Sequence, residues 1–581
     1  LDQRLVATLT NRRRLVGTSH GSDDGFEPCR ARPDANEPLF GRAFAMLKFS
    51  AHQYPYPSQR QCVFARRGMV AASQPLAAEA GIEIMRKGGN AIDAAIATAA
   101  ALTVVEPTGC GIGGDAFALV WCKGQLHGLN GNGQAPAALS IDAVKAAGHA
   151  RMPLHGWTPV TVPGCPSAWA ELSKRFGKLP FAELLQPAIS LAREGFPVSP
   201  VVALLWQRAL EKFSPHRDAV LAPWFETFLI EGRAPRAGEL FRNPAQAGTL
   251  EELAATACES LYRGALAGRL DAHSRATGGY LRGSDLQGYR AQWVEPIHIN
   301  YRGYDVWEIP PSGQGLVVLM ALKILEGFSF DHRDSQQTWH RQLEAMKLAY
   351  SDGLHYITDP LHMRVAVADL LSDDYSRRRR GQIGEQAQPP AHGDPHASGT
   401  VYLASADAEG NMVSFIQSNY HGFGSGVVLP DSGIALQNRG EEFSLDPSHA
   451  NCLAPGKKTF HTIIPGFLSQ GGEPLGPFGV MGAYMQPQGH VQMVMNLVDF
   501  GLNPQAALDA PRWQWLGEMK VGIEQGASRD LATALARRGH EVQIACDLTT
   551  YGRGQIILRD PLSGVLCGGT EPRTDSHIAV W

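Results

Sequence analysis

Thr400 stands where a polar stretch rich in Pro, Gly and His gives way to an alternating strand, directly after Gly399. If the Gly399–Thr400 bond is cut, Thr400 becomes an N-terminus with its hydroxyl beside its own α-amine. A free α-amine titrates at roughly 7.7–8.0, so a neutral fraction is present near pH 7 and can take the hydroxyl proton. One residue then supplies both nucleophile and base. The preceding glycine on a flexible segment lets the chain reach the geometry such a cut needs. The same junction also reads as an ordinary strand start. Other signatures of chemistry fail. Gly17-Thr18-Ser19-His20-Gly21 has the form of a nucleophile elbow but lacks the apolar strand before it. No H-E-x-x-H occurs, and the 20 histidines show no spacing that demands a metal. Gly109-Cys110-Gly111-Ile112-Gly113-Gly114 looks like a phosphate loop, yet it follows a helical segment and feeds the alternating run Phe117, Leu119, Trp121. Close backbone packing beside a sheet is the expected role.

The 581-residue chain is 44% hydrophobic and 19% charged, with a net charge of −4. That balance fits a globular protein and gives no global attraction to nucleic acid or an anionic membrane. No apolar stretch is long enough to span a bilayer. The basic run Arg377-Arg378-Arg379-Arg380 reads as a solvated loop. The nine cysteines form no C-x-x-C pair, and an odd count fits reduced thiols and a cytoplasmic setting. Residues 1–45 are polar, lack the apolar run of a secretory signal, and read as a disordered extension.

Several elements must position Thr400. Ser73 and Pro75 mark a helix start, and Gly88-Gly89 its end. Ala91 to Val104 is apolar almost all round and predicts a buried helix. Thr161 to Tyr289 reads mostly helical, Tyr301 to Ile309 as a strand, and Gln342 to Leu354 as a helix. Arg377 to Gly399 has no apolar periodicity and reads as a mobile linker. Thr400 to Ala406 and Met412 to Ser418 then alternate around Asp407-Ala408-Glu409-Gly410-Asn411, predicting a β-hairpin. Short strands at Val427–Leu429 and Thr462–Ile464 and a helix near His490 to Phe500 complete a mixed α and β pattern.

Over roughly residues 62–581 the chain resembles the γ-glutamyltranspeptidases. The resemblance rests on Gly68-Met69-Val70-Ala71-Ala72-Ser73-Gln74-Pro75-Leu76-Ala77, Gly88-Gly89-Asn90-Ala91-Ile92-Asp93-Ala94-Ala95, Glu106-Pro107 to Gly114, and Glu344-Ala345-Met346-Lys347-Leu348-Ala349-Tyr350-Ser351-Asp352 with Asp359-Pro360. It implies an α+β fold, the four-layer αββα sandwich of the N-terminal-nucleophile hydrolases. It implies one composite fold over 46–581, cut into a large region 46–399, ending in the linker 377–399, and a small region 400–581. Cleavage would fall between Gly399 and Thr400, with Thr400 the nucleophile and Ser418, eighteen residues on, its hydroxyl partner. Where the family has Thr-Thr-His this chain reads Thr400-Val401-Tyr402. The family's Gly-Gly oxyanion step is Gly482-Ala483 here, so the Ala must suit its backbone angles.

The implied substrate pocket departs from the family. The carboxylate-clamping arginine is replaced by Asn132, in a stretch that reads as an uncharged, flexible loop. Residues expected to hold an α-ammonium are Tyr420, Arg439 and Glu442, and the paired serines are His461 and Thr462. Arg439 would repel an ammonium and suit a carboxylate; it also reads as a salt-bridge partner of Glu441 or Glu442. The stretches Gln417 to Gly426 and Leu436 to Gly440 resemble the oxamate amidohydrolase branch. The resemblance thus implies hydrolysis of a small carboxylate-bearing amide, oxamate-like or glutaryl-type, with no cofactor, metal, nucleic acid or membrane partner. It leaves open a homo-oligomer of processed heterodimers. A γ-glutamyltransferase acting on glutathione and an uncleaved binding protein are the rival readings.

Overall fold

The computed structural model describes residues 60–389 and 400–581. The readings for residues 1–45, for the linker beyond Gln388 and Pro389, and for Gly399 fall outside them. Two seven-stranded sheets, antiparallel throughout, form the centre. Their strands are β1 (Val63–Ala65), β2 (Gly68–Ala72), β3 (Asp115–Cys122), β4 (Gln125–Gly131), β5 (Gln292–Val294), β6 (Ile297–Tyr301), β7 (Tyr304–Glu308), β8 (Val401–Asp407), β9 (Met412–Ser418), β10 (Gly466–Gln470), β11 (Glu473–Met481), β12 (Arg553–Arg559), β13 (Leu566–Thr570) and β14 (His577–Val580). One sheet runs β1-β13-β12-β11-β10-β7-β6 and the other β14-β2-β8-β9-β3-β4-β5.

The period-two alternation of the strands sorts side chains into two cores. Val401 and Leu403 of β8, with Val413 and Phe415 of β9, pack outward against α1 (Pro75–Arg86) and α2 (Ala91–Val105). Tyr402, Ala404, Met412 and Ile416 pack between the sheets, in a core that continues to α4 (Gly315–Glu326), α5 (Gln336–Tyr356) and α7 (Met485–Val498). The outcome is the expected αββα sandwich. Both faces of β8 and β9 are therefore dry, and every residue of both strands is buried.

Every residue of α2 is buried, as its all-round apolar sequence requires. Its alanines allow a close approach to α1. A Cβ at Gly81 would fall 2.3 Å from Thr98 Oγ1. The cap of α1 differs from expectation. Gln74 accepts from the Leu76 N–H, and Ser73 instead donates to the Glu106 carboxylate. The hairpin turn behaves as read, with the Asp407 carboxylate accepting from Asn411 N at 3.0 Å and Gly410 at φ 85°. The strand read at Tyr301 to Ile309 is β7, Tyr304–Glu308, preceded by a turn that joins it to β6. Thr462 to Ile464 forms no strand.

The basic run is a correction. Arg377 to Arg380 is the last turn of α6 (Asp373–Arg380), so the irregular segment does not begin at 377. Arg379 pairs with Asp352 at 2.7 Å, and Arg380 donates to the Ile324 and Lys323 carbonyls. The carbonyls are free acceptors near the end of α4, where a cation also meets the negative end of the helix dipole. The following residues stay tied down: Ala387 N donates to Arg538 O, and Gln388 N to the Glu344 carboxylate. Seven described cysteines are free thiols, in line with the reading of reduced cysteines, and Cys546 is disulfide-bonded. No helix among the described residues is long and apolar enough to cross a membrane.

Candidate active site at the head of the central hairpin

Thr400 precedes β8 and Ser418 ends β9. The register pairs Val401 with Gln417, so the next position outward sets Thr400 opposite Ser418. Their hydroxyls lie 3.1 Å apart, fully buried, on the inter-sheet side. Ser418 Oγ accepts from Tyr420 N at 2.7 Å, and its own O–H can still donate. Tyr420 adopts φ 75° to close this turn, a left-handed conformation that costs about 1–3 kcal/mol for a side-chain-bearing residue.

The glycine cluster before β3 packs around this hairpin head. A Cβ at Gly109 would meet Thr400 O at 3.1 Å, at Gly111 Asn419 Nδ2 at 2.8 Å, at Gly113 Ala435 O at 2.3 Å, and at Gly114 Ser418 O at 2.4 Å. Backbone crowding thus accounts for the run that imitates a phosphate loop. Gly109 and Gly482 both line a cavity of about 220 Å³. Thr400, fully buried, does not itself line that cavity; Gly109 packs between the two, against the Thr400 carbonyl.

Gly482 and Ala483 join β11 to α7, at the positive end of the helix dipole. Neither N–H has an acceptor among the described residues. Gly482 sits at φ 132°, a region that favours glycine, whereas Ala483 sits at φ 49°, which a Cβ tolerates with strain. An Ala is therefore accommodated at this step, at a cost in backbone strain. Gln314 braces the turn, donating to Thr462 O at 2.5 Å and Ala483 O at 2.8 Å. Tyr350 donates to Tyr484 O at 2.5 Å.

Arg439 opens a 3-10 turn, Arg439–Glu442, and its side chain is 0% exposed. Nη1 donates to Thr462 Oγ1 at 2.6 Å, and the guanidinium carbon lies 4.1 Å from the Tyr420 ring centroid. Nε and Nη2 have no hydrogen-bond partner. The salt bridge to Glu441 or Glu442 does not form: Glu442 accepts instead from the hydroxyls of Tyr420 and Tyr484. Burial, aided by Glu441, pushes the Glu442 carboxyl up to about 7, against those two hydroxyls and Arg439. Burial pulls the Arg439 guanidinium below its ordinary range, while Tyr420, Glu442 and Asp115 favour its charge. Unpaired N–H groups on a buried cation are costly, and an arriving anion would satisfy them.

Asn132 does not lie in a flexible loop. It follows β4 directly and is fully buried, donating to Ser312 Oγ at 2.6 Å and Thr459 O at 3.3 Å. His461 is buried against Phe117 and near Asp115. Its Nδ1 accepts from Ile463 N, so Nε2 carries the proton and donates to Asp115 Oδ2 at 3.0 Å. Burial, with Arg439 and Lys458 nearby, keeps the ring neutral. Asp115 also accepts from Gln437, Gly133 and Gly164, and burial lifts it to about 7 against Arg439 and these donors.

Asp115, Gln314, Gln437 and Tyr484 were not singled out as site residues by the sequence. Gln437 lay within a stretch of resemblance, and Asp115 directly followed the glycine cluster; Gln314 and Tyr484 carried no signal. Arg439 and Tyr420 touch, Tyr420 and Glu442 bond, and Arg439 bonds Thr462. Asn132 joins them only through Ser312 and Thr459. Elsewhere His340, Glu344 and His540 come together, buried, although 200 residues separate the two histidines. Glu344 holds Lys347 at 2.8 Å and the imidazoles bond each other at 2.9 Å, while His540 Nδ1 is buried without a partner.

A family model described as gamma-glutamyltranspeptidase matches residues 77–581. The chain is 36% identical over 523 residues to the glutathione hydrolase-like YwrD proenzyme of Bacillus subtilis, covering 88% of this chain and 98% of the relative. It is 37% identical over 527 residues to the oxamate amidohydrolase proenzyme of Klebsiella pneumoniae, with the same coverage. Among solved structures, the cephalosporin acylase from Bacillus halodurans superposes with a TM-score of 0.90 at 59% identity, covering 92% of this chain and 99% of that one. Proenzymes that hydrolyse or transfer acyl groups, built on one sandwich and matched over nearly their full length, leave one assignment: the chain belongs to the γ-glutamyltranspeptidase family of N-terminal-nucleophile enzymes.

Proposed function

We propose that the protein is a self-processing amidohydrolase for small amides whose acyl group carries a carboxylate, of oxamate or glutaryl type. Cleavage before Thr400 frees its α-amine. That amine takes the proton as Thr400 Oγ attacks the amide carbon, and the Gly482 and Ala483 N–H groups receive the oxyanion. The C–N bond breaks, the leaving nitrogen takes the proton from the α-ammonium, and an ester to Thr400 remains. Water, deprotonated by the same amine, then releases the acid. Ser418 donates to Thr400 Oγ and keeps its lone pair aimed. These steps use no cofactor, and the cytoplasm is the proposed setting.

The observation that carries the reading is Arg439: fully buried, clamped by Tyr420 and Thr462, with two guanidinium nitrogens unbonded. A carboxylate at that place fills both vacancies at once. The substrate named for the Klebsiella relative carries such a group, which supports but does not extend the point. The test compares ammonia release from oxamate and amine release from glutaryl and γ-glutamyl anilides on the processed protein. Turnover of the first two, with weak turnover of the third, is expected. A preference for the γ-glutamyl anilide would move the assignment to a glutathione hydrolase, and a single full-length band with no turnover would make the protein a binder.

A further inference from the structure

The cavity beside Gly109 and Gly482 has a wall that the acyl chemistry does not use. Helix α3, Pro200–Phe213, presents Leu205, Arg208, Ala209 and Lys212 to it. These positions recur at i, i+3, i+4 and i+7, so they form one stripe of the helix. Thr549, Thr550 and Arg553 face that stripe, and Thr108, Gly109, Gly422, Met481 and Gly482 close the end nearest Thr400. Three cations and no carboxylate line the space. Arg208 is paired with Asp547 at 2.9 Å, and Arg553 with Glu106 at 2.9 Å, so each is locally balanced. Lys212 is not. It has no hydrogen bond and no ion pair among the described residues, and its ammonium lies 5.7 Å from the Phe213 ring centroid. Arg553 Nε is also buried without a partner.

Arg439 and its neighbours Tyr420 and Thr462 do not line this cavity. Gly482 of the oxyanion step, and Gly109 packed on the Thr400 carbonyl, set this second cationic centre beside the hairpin head. An amide has two sides at its carbonyl, and one acidic group on the acyl part accounts for only one centre.

We propose that the cavity is a leaving-group subsite, in which Lys212 with Arg208 beside it receives a carboxylate on the departing amine. The full substrate class is then an amide with an acid on each side, cleaved between them. The inference rests on the acyl-transfer reading above and adds the second half of the substrate. Lys212 carries its charge at neutral pH although burial pulls its ammonium down to about 8, against the influence of Glu441.

Two anilides with the same glutaryl group test it on the processed enzyme: the 4-nitroanilide and the 3-carboxy-4-nitroanilide. A kcat/KM about fivefold or more in favour of the carboxylated compound is expected, the effect of a partly screened ion pair. The Arg208→Gln, Lys212→Gln double variant should lose most of that ratio, and Lys212→Arg should restore it. Equal kcat/KM values in the parent enzyme, or a ratio untouched in the double variant, would overturn the proposal. Calorimetry with 5-amino-2-nitrobenzoate and with 4-nitroaniline decides it without turnover. Tighter binding of the acid, lost in the double variant, supports the subsite; equal binding sinks it. Absent turnover of both anilides beside selective binding of the acid would count against the acyl-transfer reading alone.

Discussion

Arg439 and Lys212 both lack an ion pair among the described residues, but they are built differently. Arg439 is wholly buried, its plane held by the Tyr420 ring and its Nη1 by Thr462. Lys212 is half-buried on a helix stripe, with a flexible stem and open cavity in front of it. A rigid, dry guanidinium rewards only a ligand whose oxygens meet its N–H vectors, so it selects by geometry. A partly hydrated ammonium rewards negative charge at many positions and is screened by salt. The comparison teaches that the acyl side should be strict and the amine side permissive.

The largest test removes what the two share. Thr400→Ala should abolish chain cleavage and turnover together, read as one band on a denaturing gel and no ammonia from oxamate. Cleavage that persists in this variant would detach both cations from the chemistry proposed for them. Next is Arg439→Ala, which should raise KM for carboxylate-bearing amides about 10-fold or more, since a charged hydrogen bond contributes about 1.5–3 kcal/mol. Arg439→Lys should recover little of this, because an ammonium offers no planar fork. Full recovery would mean that Arg439 acts as a point charge, as Lys212 does. A smaller effect separates the two by salt. Between about 0.05 and 0.5 M ionic strength the preference conferred by Lys212 should fade, while dependence on Arg439 should hold, because the screening length shrinks to a few ångströms. The smallest expected effect lies between them. Ala483→Gly should relieve left-handed strain and stabilise the fold by about 1 kcal/mol, read as a rise in the denaturation midpoint. Gly482→Ala, at φ 132°, should destabilise it instead.

What the sequence revealed about this site follows the range of each interaction. Ser418 was matched to Thr400 by resemblance, and the two meet because a hairpin converts sequence spacing into cross-strand register. The sandwich came from the family blocks; alternation alone suggested only a hairpin. Arg439 was found by resemblance, but its choice between a salt bridge and a pocket depended on Tyr420 and Tyr484 claiming Glu442 first, a three-body arrangement with no sequence signature. The stripe Leu205, Arg208, Ala209, Lys212 is readable as a helix face, yet the glycines opposite it lie in distant segments. Arg377 to Arg380 misled in the other direction: charge density suggested solvent, whereas Arg379 and Arg380 spend their donors on Asp352 and on helix-end carbonyls.

The order of strands carries a consequence for the life history of the molecule. In one sheet β2, from the part before Thr400, lies between β14 and β8, from the part after it; in the other, β1 and the β6–β7 pair flank a block of four strands from the later part. Two polypeptides made by a cut at Thr400 would be woven together like the fingers of clasped hands, so scission after folding would leave them joined. Once unfolded they would have to find each other by diffusion and interleave anew, which a single chain need never do. Maturation would therefore act as a ratchet: assembly comes easily before the cut, and recovery from denaturation depends on concentration after it.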